Sequence, residues 1–160
     1  MISYKILSTE KHIILTNEVL EHFSRYRQIG MNSKETGGQL FAKLEEKRII
    51  VEKATGPRTI DKRGRFHFIP TRKAEQREIN NMFSYGLHYV GDWHTHPEKR
   101  PSPSRTDISS MSECFQKSKH ELDAFILIIV GQDNPPGGIW LSLHGTQRYE
   151  TLSPSPTVSI

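Results

Sequence analysis

The chain has 160 residues, enough for one sizeable core, and its 34% apolar and 25% charged content suits a globular protein with a polar surface. No apolar run approaches the roughly 20 residues that span a bilayer, and the single cysteine, Cys114, excludes both a disulfide-stapled fold and a four-thiolate metal site. A net charge of +4 is too mild to select a partner by itself.

The opening residues MISYKILSTEKH carry no signal-peptide core, so the cytoplasm is the expected compartment. Tyr4 to Leu7 and His12 to Leu15 read as short strands. Thr16 is placed to cap a helix running to about Gln28, with Val19, Leu20, Phe23 and Tyr26 as its apolar stripe and Gly30 as its stop. Gly38 to Leu44 and Arg48 to Ala54 form a predicted hairpin around Glu45-Glu46-Lys47. Gly56 to Arg65 is polar and basic and reads as a loop, followed by a short strand, Phe66 to Ile69.

Pro70-Thr71 opens a second predicted helix to about Tyr85, which Gly86 ends. Leu87 to Trp93 is a strand leading into His94. The three prolines of Pro97 to Pro103 require irregular chain, and Ser104 opens a third helix to about Lys119. Ala124 to Gly131 is a buried-type strand, Asp133 to Gly138 a turn, and Ile139 to His144 and Gln147 to Leu152 the last strands. One domain over residues 1–152 is expected, with 153–160 as a mobile tail. Strands and helices mixed around one sheet place the fold in the α/β or α+β class.

Chemistry concentrates between Gly91 and Asp107. Residues i and i+2 of a strand share a face, so His94 and His96 project together, as two ligands of one metal must. Pro97 then turns the chain, and the next helix can return Asp107 over the same point. Two imidazoles and one carboxylate leave a fourth tetrahedral position for water, the arrangement of a catalytic zinc site. Zinc lowers the pKa of such a water to about 7. Glu35, just before Thr36-Gly37-Gly38, is the candidate base for that water, the glycines letting backbone pass close to the metal face.

Each part also has a structural reading. Ser104 and Asp107 suit a helix-capping pair, and two histidines can simply share a sheet face. The joint spacing His-x-His-x7-Ser-x2-Asp arises in roughly one shuffled chain per thousand of this composition. Capping and ligation are also compatible, since a cap holds a ligand rigidly. His12, His22, His67, His88, His120 and His144 lack partners at ligand spacing and are assigned to structure or surface. Cys114 is assigned to core packing.

His94-Thr95-His96-Pro97 and Ser104-Arg105-Thr106-Asp107, with Glu35 upstream, resemble the JAMM motif of the JAB/MPN metallopeptidases. The resemblance implies an MPN/JAB-like fold, a curved, mostly antiparallel β-sheet partly closed on itself with packed helices. It implies zinc on His94, His96 and Asp107, Glu35 as general base and acid, and Ser104 as a hydrogen-bond donor to the oxyanion or the metal's water. Glu35-Thr36-Gly37-Gly38, Gly56-Pro57, Phe66-His67-Phe68 and Gly91-Asp92-Trp93-His94 are similar to a stand-alone bacterial subgroup found beside CBASS anti-phage operons. That subgroup reverses a ubiquitin-like conjugation, cleaving just after the C-terminus of a nucleotidyltransferase joined to a target.

The implied substrate is a protein with an extended C-terminal tail, able to add as a strand to a sheet edge. Arg58, Lys62, Arg63 and Arg65 lie where the family carries a substrate-gripping insertion, and Arg58, Arg63 and Arg65 are the expected substrate contacts. Trp93 is expected to pack beneath the metal. Rival readings are release of another ubiquitin-like or sulfur-carrier protein, a non-catalytic MPN scaffold, and a nucleic-acid-binding module. The full ligand set opposes the scaffold, and no nucleic-acid motif accompanies the basic loop.

Overall fold

A computed structural model describes residues 1–156. Its centre is an eight-stranded sheet in the order β1-β2-β4-β3-β7-β8-β9-β10. The strands are β1 (Ile2–Lys5), β2 (His12–Leu15), β3 (Gly37–Leu44), β4 (Arg48–Ala54), β7 (His88–Thr95), β8 (Phe125–Val130), β9 (Ile139–His144) and β10 (Tyr149–Leu152). Neighbours are antiparallel except β2 with β4 and β7 with β8. A separate two-stranded ladder joins β5 (Lys62–Arg63) to β6 (Phe68–Ile69). Three helices complete the fold: α1 (Asn17–Tyr26), α2 (Arg72–Ser84) and α3 (Arg105–Lys117). Among the described residues, no helix is long and apolar enough to cross a membrane.

β8 reads FILIIV and is buried along its whole length because both faces of the sheet are covered. Its alternation feeds two cores. Ile126, Ile128 and Val130 join Val19 and Phe23 of α1 on one face. Phe125, Leu127 and Ile129 join Met111 and Phe115 of α3 on the other. Thr16 caps α1, its Oγ1 accepting from the Val19 N–H at 3.4 Å. Val19 and Phe23, one turn apart, then face the sheet, and burying a phenylalanine contributes about 2–3 kcal/mol.

The sheet curls until its ends meet. Pro154 bridges Tyr4, and the Ser155 N–H donates to the Ser3 carbonyl at 2.7 Å. Of the expected tail 153–160, the first part is therefore laid along β1, and residues 157–160 lie outside the described residues. Curvature enters at β3, where pairing with β4 and β7 slips around Leu40 to Ala42. Gly91 lies opposite that irregularity with φ 151°, and a Cβ there would sit 1.8 Å from the Ile126 carbonyl oxygen, so only glycine fits.

Most sequence-predicted elements lie within a few residues of the observed ones, and three differ. β1 spans Ile2–Lys5 rather than Tyr4 to Leu7, because its register opposite β2 pairs Ile2 with Leu15 and Lys5 with His12. The expected loop Gly56 to Arg65 contains β5, and the expected strand Phe66 to Ile69 shortens to β6, because the Gly64 N–H donates to the His67 carbonyl and makes residues 64–67 the turn.

Candidate metal centre

β7 sorts its residues by period. Trp93 and Thr95 point toward α1, while Asp92 and His94 point to the α3 face. Trp93 packs against His22, Phe23 and Tyr26 and donates its indole N–H to the Thr55 carbonyl at 2.9 Å. It thus forms the floor beneath the histidine strand. The His96 N–H donates to the Val130 carbonyl at 3.0 Å, carrying the extended chain one residue past β7. Pro97 to Pro103 then crosses to α3.

α3 begins with a complete capping box. Ser104 Oγ accepts from the Asp107 N–H at 3.0 Å, and Asp107 Oδ2 accepts from the Ser104 N–H at 2.8 Å. The cap directs Asp107 at the two rings. His94 Nε2 lies 3.2 Å from Asp107 Oδ1, His96 Nε2 lies 3.3 Å from Oδ2, and the two Nε2 atoms are 3.2 Å apart. A tetrahedral site with bonds of about 2.0–2.1 Å has edges of about 3.3 Å, so the three donors have the spacing of three zinc ligands.

The donor chemistry fits as well. His96 Nδ1 lies 2.9 Å from Glu98 Oε1. A proton held there by the carboxylate leaves Nε2 with its lone pair free for a metal. Burial pushes the Asp107 carboxyl up, but bonds from both rings and the Ser104 N–H outweigh it and hold the group far below the usual carboxylate range. Burial opposes charge on His96, and its bonds to Asp107 and Glu98 prevail, raising its pKa.

Glu35 enters from the segment before β3. Its N–H donates to the Gly64 carbonyl at 2.7 Å, and its carbonyl accepts from Arg63 Nε at 3.1 Å. The turn of the β5–β6 ladder therefore brackets Glu35. Burial pushes its carboxyl up, His94 and His96 oppose the rise, and Asp107 adds to it. A carboxyl raised in this way holds a proton more readily, as a group that takes and returns one must. Glu35, His94, His96, Ser104 and Asp107 all line one cleft of about 800 Å³. With Oγ accepting from Asp107, the Ser104 O–H remains free to donate.

The three arginines proposed for substrate fare differently. Arg58 is committed internally, with Nη2 2.6 Å from Glu78 Oε1 and Nη1 3.5 Å from Asp61 Oδ2, and its side chain is only 13% exposed. It braces the fold instead of reaching outward. Arg63 donates to the Glu35 carbonyl and to Thr36 Oγ1, so it braces the base. Arg65 is exposed, its guanidinium 5.1 Å above the Phe66 ring, and stays available to a partner.

Several cleft residues escaped the sequence reading. His67, assigned to structure or surface, lines the cleft. Glu98 follows His96 by two residues, a carboxylate spacing that marks a possible partner for the ring. Asp92 shares the His94 face, and burial and then the Glu75 carboxylate push its pKa to about 7, against the Tyr89 O–H that donates to it at 3.0 Å. Cys114 packs against the second core as expected, and it also lines the cleft.

A curved mixed sheet covered by helices on both faces, with two strand histidines and a helix-cap aspartate converging beside a loop glutamate, defines the JAB/MPN class of α+β domain. The model of the prokaryotic homologs of the JAB domain matches residues 17–142, and the chain belongs to that family. It is 28% identical over 135 residues to the CD-NTase/cGAS isopeptidase of Escherichia coli strain TW11681, covering 82% of this chain and 81% of that one. It is 32% identical over 140 residues to the protein of the same name from Enterobacter hormaechei subsp. hoffmannii strain UCI 50, covering 85% and 76%. The solution structure of DSY2949 from Desulfitobacterium hafniense shares the fold, with TM-score 0.62 at 19% identity over 87% of this chain and 88% of that one.

Proposed function

We propose that this chain is a zinc-dependent isopeptidase that releases a protein joined through its C-terminal tail, the tail being that of a CD-NTase/cGAS-type nucleotidyltransferase. One observation carries the reading. Three metal-type side chains converge at 3.2–3.3 Å in the same cleft as a half-buried glutamate whose carboxyl is shifted upward. The relatives' names supply the substrate class.

His94, His96 and Asp107 would hold the metal, with His96 fixed by Glu98. Zinc supplies Lewis acidity to the scissile carbonyl and to water when bound. Glu35 takes a proton from water as its oxygen bonds to the carbonyl carbon. The Ser104 O–H donates to the oxygen on which charge develops, an interaction whose loss costs typically about 2.7–4 kcal/mol. Glu35 then gives its proton to the leaving nitrogen as the C–N bond breaks, yielding a free carboxyl terminus and a free amine. An extended tail suits the cleft because the β5–β6 ladder beside Glu35 offers backbone groups for strand addition. Arg65 stands exposed on the connecting turn for an acidic partner.

The test is direct. The purified full chain should carry one zinc per molecule by elemental analysis. It should cleave a fusion in which a reporter follows the nucleotidyltransferase C-terminus, and a chelator should stop it. Zinc-loaded protein inert toward that fusion, but active on a ubiquitin-like or sulfur-carrier fusion, would move the substrate assignment. Protein that binds no zinc would end the reading.

A further inference from the structure

Glu35 and the histidine pair come from distant parts of the chain, and one buried side chain reaches both. Gln28 follows α1 and is 1% exposed. Its Oε1 accepts from Thr95 Oγ1 at 2.7 Å, and Thr95 stands between His94 and His96. Its Nε2 donates to the Ser33 carbonyl at 3.3 Å and to the Arg65 carbonyl at 3.0 Å. Thr95 Oγ1 accepts in turn from the N–H of Thr36, the residue after Glu35, at 3.0 Å. Thr36 and Thr95 are both fully buried.

Chemistry fixes the direction of each bond. The Ser33 and Arg65 carbonyls can only accept, so the Gln28 atom facing them is the amide NH₂. The carbonyl oxygen of the side chain then faces Thr95, whose hydroxyl donates to it. The side chain is fully satisfied in an interior where an unmet partner costs more than a met one gains. The Gln28 backbone is itself held, its carbonyl accepting from Gln132 Nε2 at 2.8 Å.

We infer that Gln28 is a positioning residue for the reaction, fixing Glu35 relative to the His94–His96 pair. Residues 27–36 contain no helix or strand; two backbone bonds, from the Glu35 N–H to the Gly64 carbonyl and from the Thr95 N–H to the Thr36 carbonyl, hold the end of the segment, and the Gln28 cross-links add to them. Gln28 clamps that segment at Ser33, the histidine strand at Thr95 and the β5–β6 turn at Arg65. A base displaced by about 1 Å from its proton costs on the order of a hundredfold in rate. The kinetic consequence rests on the isopeptidase reading, whereas the linkage does not.

Gln28→Met keeps the length of the side chain and removes all three bonds. In the zinc-loaded full chain kcat should fall about 10- to 100-fold, with KM within about twofold and zinc still one per chain. Amide hydrogen exchange, which needs no substrate, should accelerate at Glu35 and Thr36 while Ile128 in β8 keeps its protection. If Gln28→Met fails to fold, Thr95→Val should reproduce the fall in kcat and Thr95→Ser, which keeps the hydroxyl, should restore it. Wild-type kcat in Gln28→Met would overturn the inference, as would exchange that accelerates uniformly through the sheet. Wild-type protein that binds zinc yet cleaves nothing would end the isopeptidase reading and leave the exchange pattern to decide the role of Gln28.

Discussion

Replacing Arg58 with methionine removes a guanidinium that ties the segment after β4 to α2. Nε and Nη2 grip both oxygens of Glu78 at 3.2 and 2.6 Å, and Nη1 lies 3.5 Å from Asp61. The Arg58, Glu78 and Asp61 side chains are 13%, 19% and 0% exposed. Removing one member of a buried pair costs about 3–5 kcal/mol, because the other charge is stranded. Here the loss is smaller. Asp61 keeps the N–H groups of Arg58 and Thr71 at 2.8 and 3.0 Å, and Glu78 keeps the Thr55 hydroxyl and some solvent. About 2–3 kcal/mol remains. With a urea m-value of about 2 kcal/mol/M, the unfolding midpoint should fall by about 1–1.5 M. Glu78→Gln in the same background should couple by about 1 kcal/mol. KM for the conjugate, measured where the variant is folded, should stay within about twofold. A midpoint shift under about 0.3 M together with a raised KM would refute this account and return Arg58 to the substrate.

Glu35→Gln should keep one zinc by elemental analysis and lose about 10²–10⁴ in kcat, the range of a positioned acid–base group. Asp107→Ala should lose zinc and the reciprocal half of the capping box, at a cost of about 0.5–1 kcal/mol, since Ser104 still caps the backbone N–H at 107. Asp107→Asn retains an oxygen for the Ser104 N–H and should lose zinc with most of the stability kept. Arg63→Ala should lower kcat more than it raises KM, because Arg63 holds the Glu35 carbonyl, and steady-state kinetics separates the two. His144 is fully buried, and burial lowers its pKa from 6.5 to about 4. The unfolded chain takes up that proton first, so stability falls as pH drops through 6.5 and levels off below about 4. The loss between pH 7 and pH 5 is about 2 kcal/mol. Asp92, raised to about 7, acts in the opposite sense, so the difference between wild type and His144→Gln in urea midpoints isolates the histidine.

The candidate metal donors were legible because their geometry is local. His94 and His96 need only the period of a strand. Asp107 needs only Ser104 three residues earlier and the first turn of a helix. The fates of the arginines were not legible. Arg58 meets Glu78 twenty residues away, and Arg63 meets the Glu35 carbonyl twenty-eight residues away, contacts set by how the chain folds back and not by any periodicity. The same holds for β1, whose register comes from pairing with β2, and for the meeting of Tyr4 with Pro154, which joins opposite ends of the chain. A run of basic residues states a charge. Whether that charge faces solvent depends on where carboxylates such as Asp61 and Glu78 arrive.

The helix cap formed by Ser104 and Asp107 and the proposed metal ligation by Asp107 are one device. Asp107 Oδ2 accepts the Ser104 N–H at 2.8 Å while facing His96 at 3.3 Å, so the bond that starts the helix also sets the rotamer of the ligand. His94 stands near the end of β7, whose Val90 and Trp93 are buried in the first core, and the His96 N–H extends the pairing to Val130, which fixes both rings equally well. The donor triad thus draws its precision from regular structure, as pre-organised sites do. Glu35 lies on irregular chain, held by backbone bonds from its own N–H to Gly64 and from the Thr95 N–H to the Thr36 carbonyl. Side-chain cross-links through Gln28, Thr95 and Arg63 complete its placement. Substitutions in those three residues should therefore separate proton transfer from metal binding, whereas substitutions in the Ser104–Asp107 cap should disturb metal and fold together.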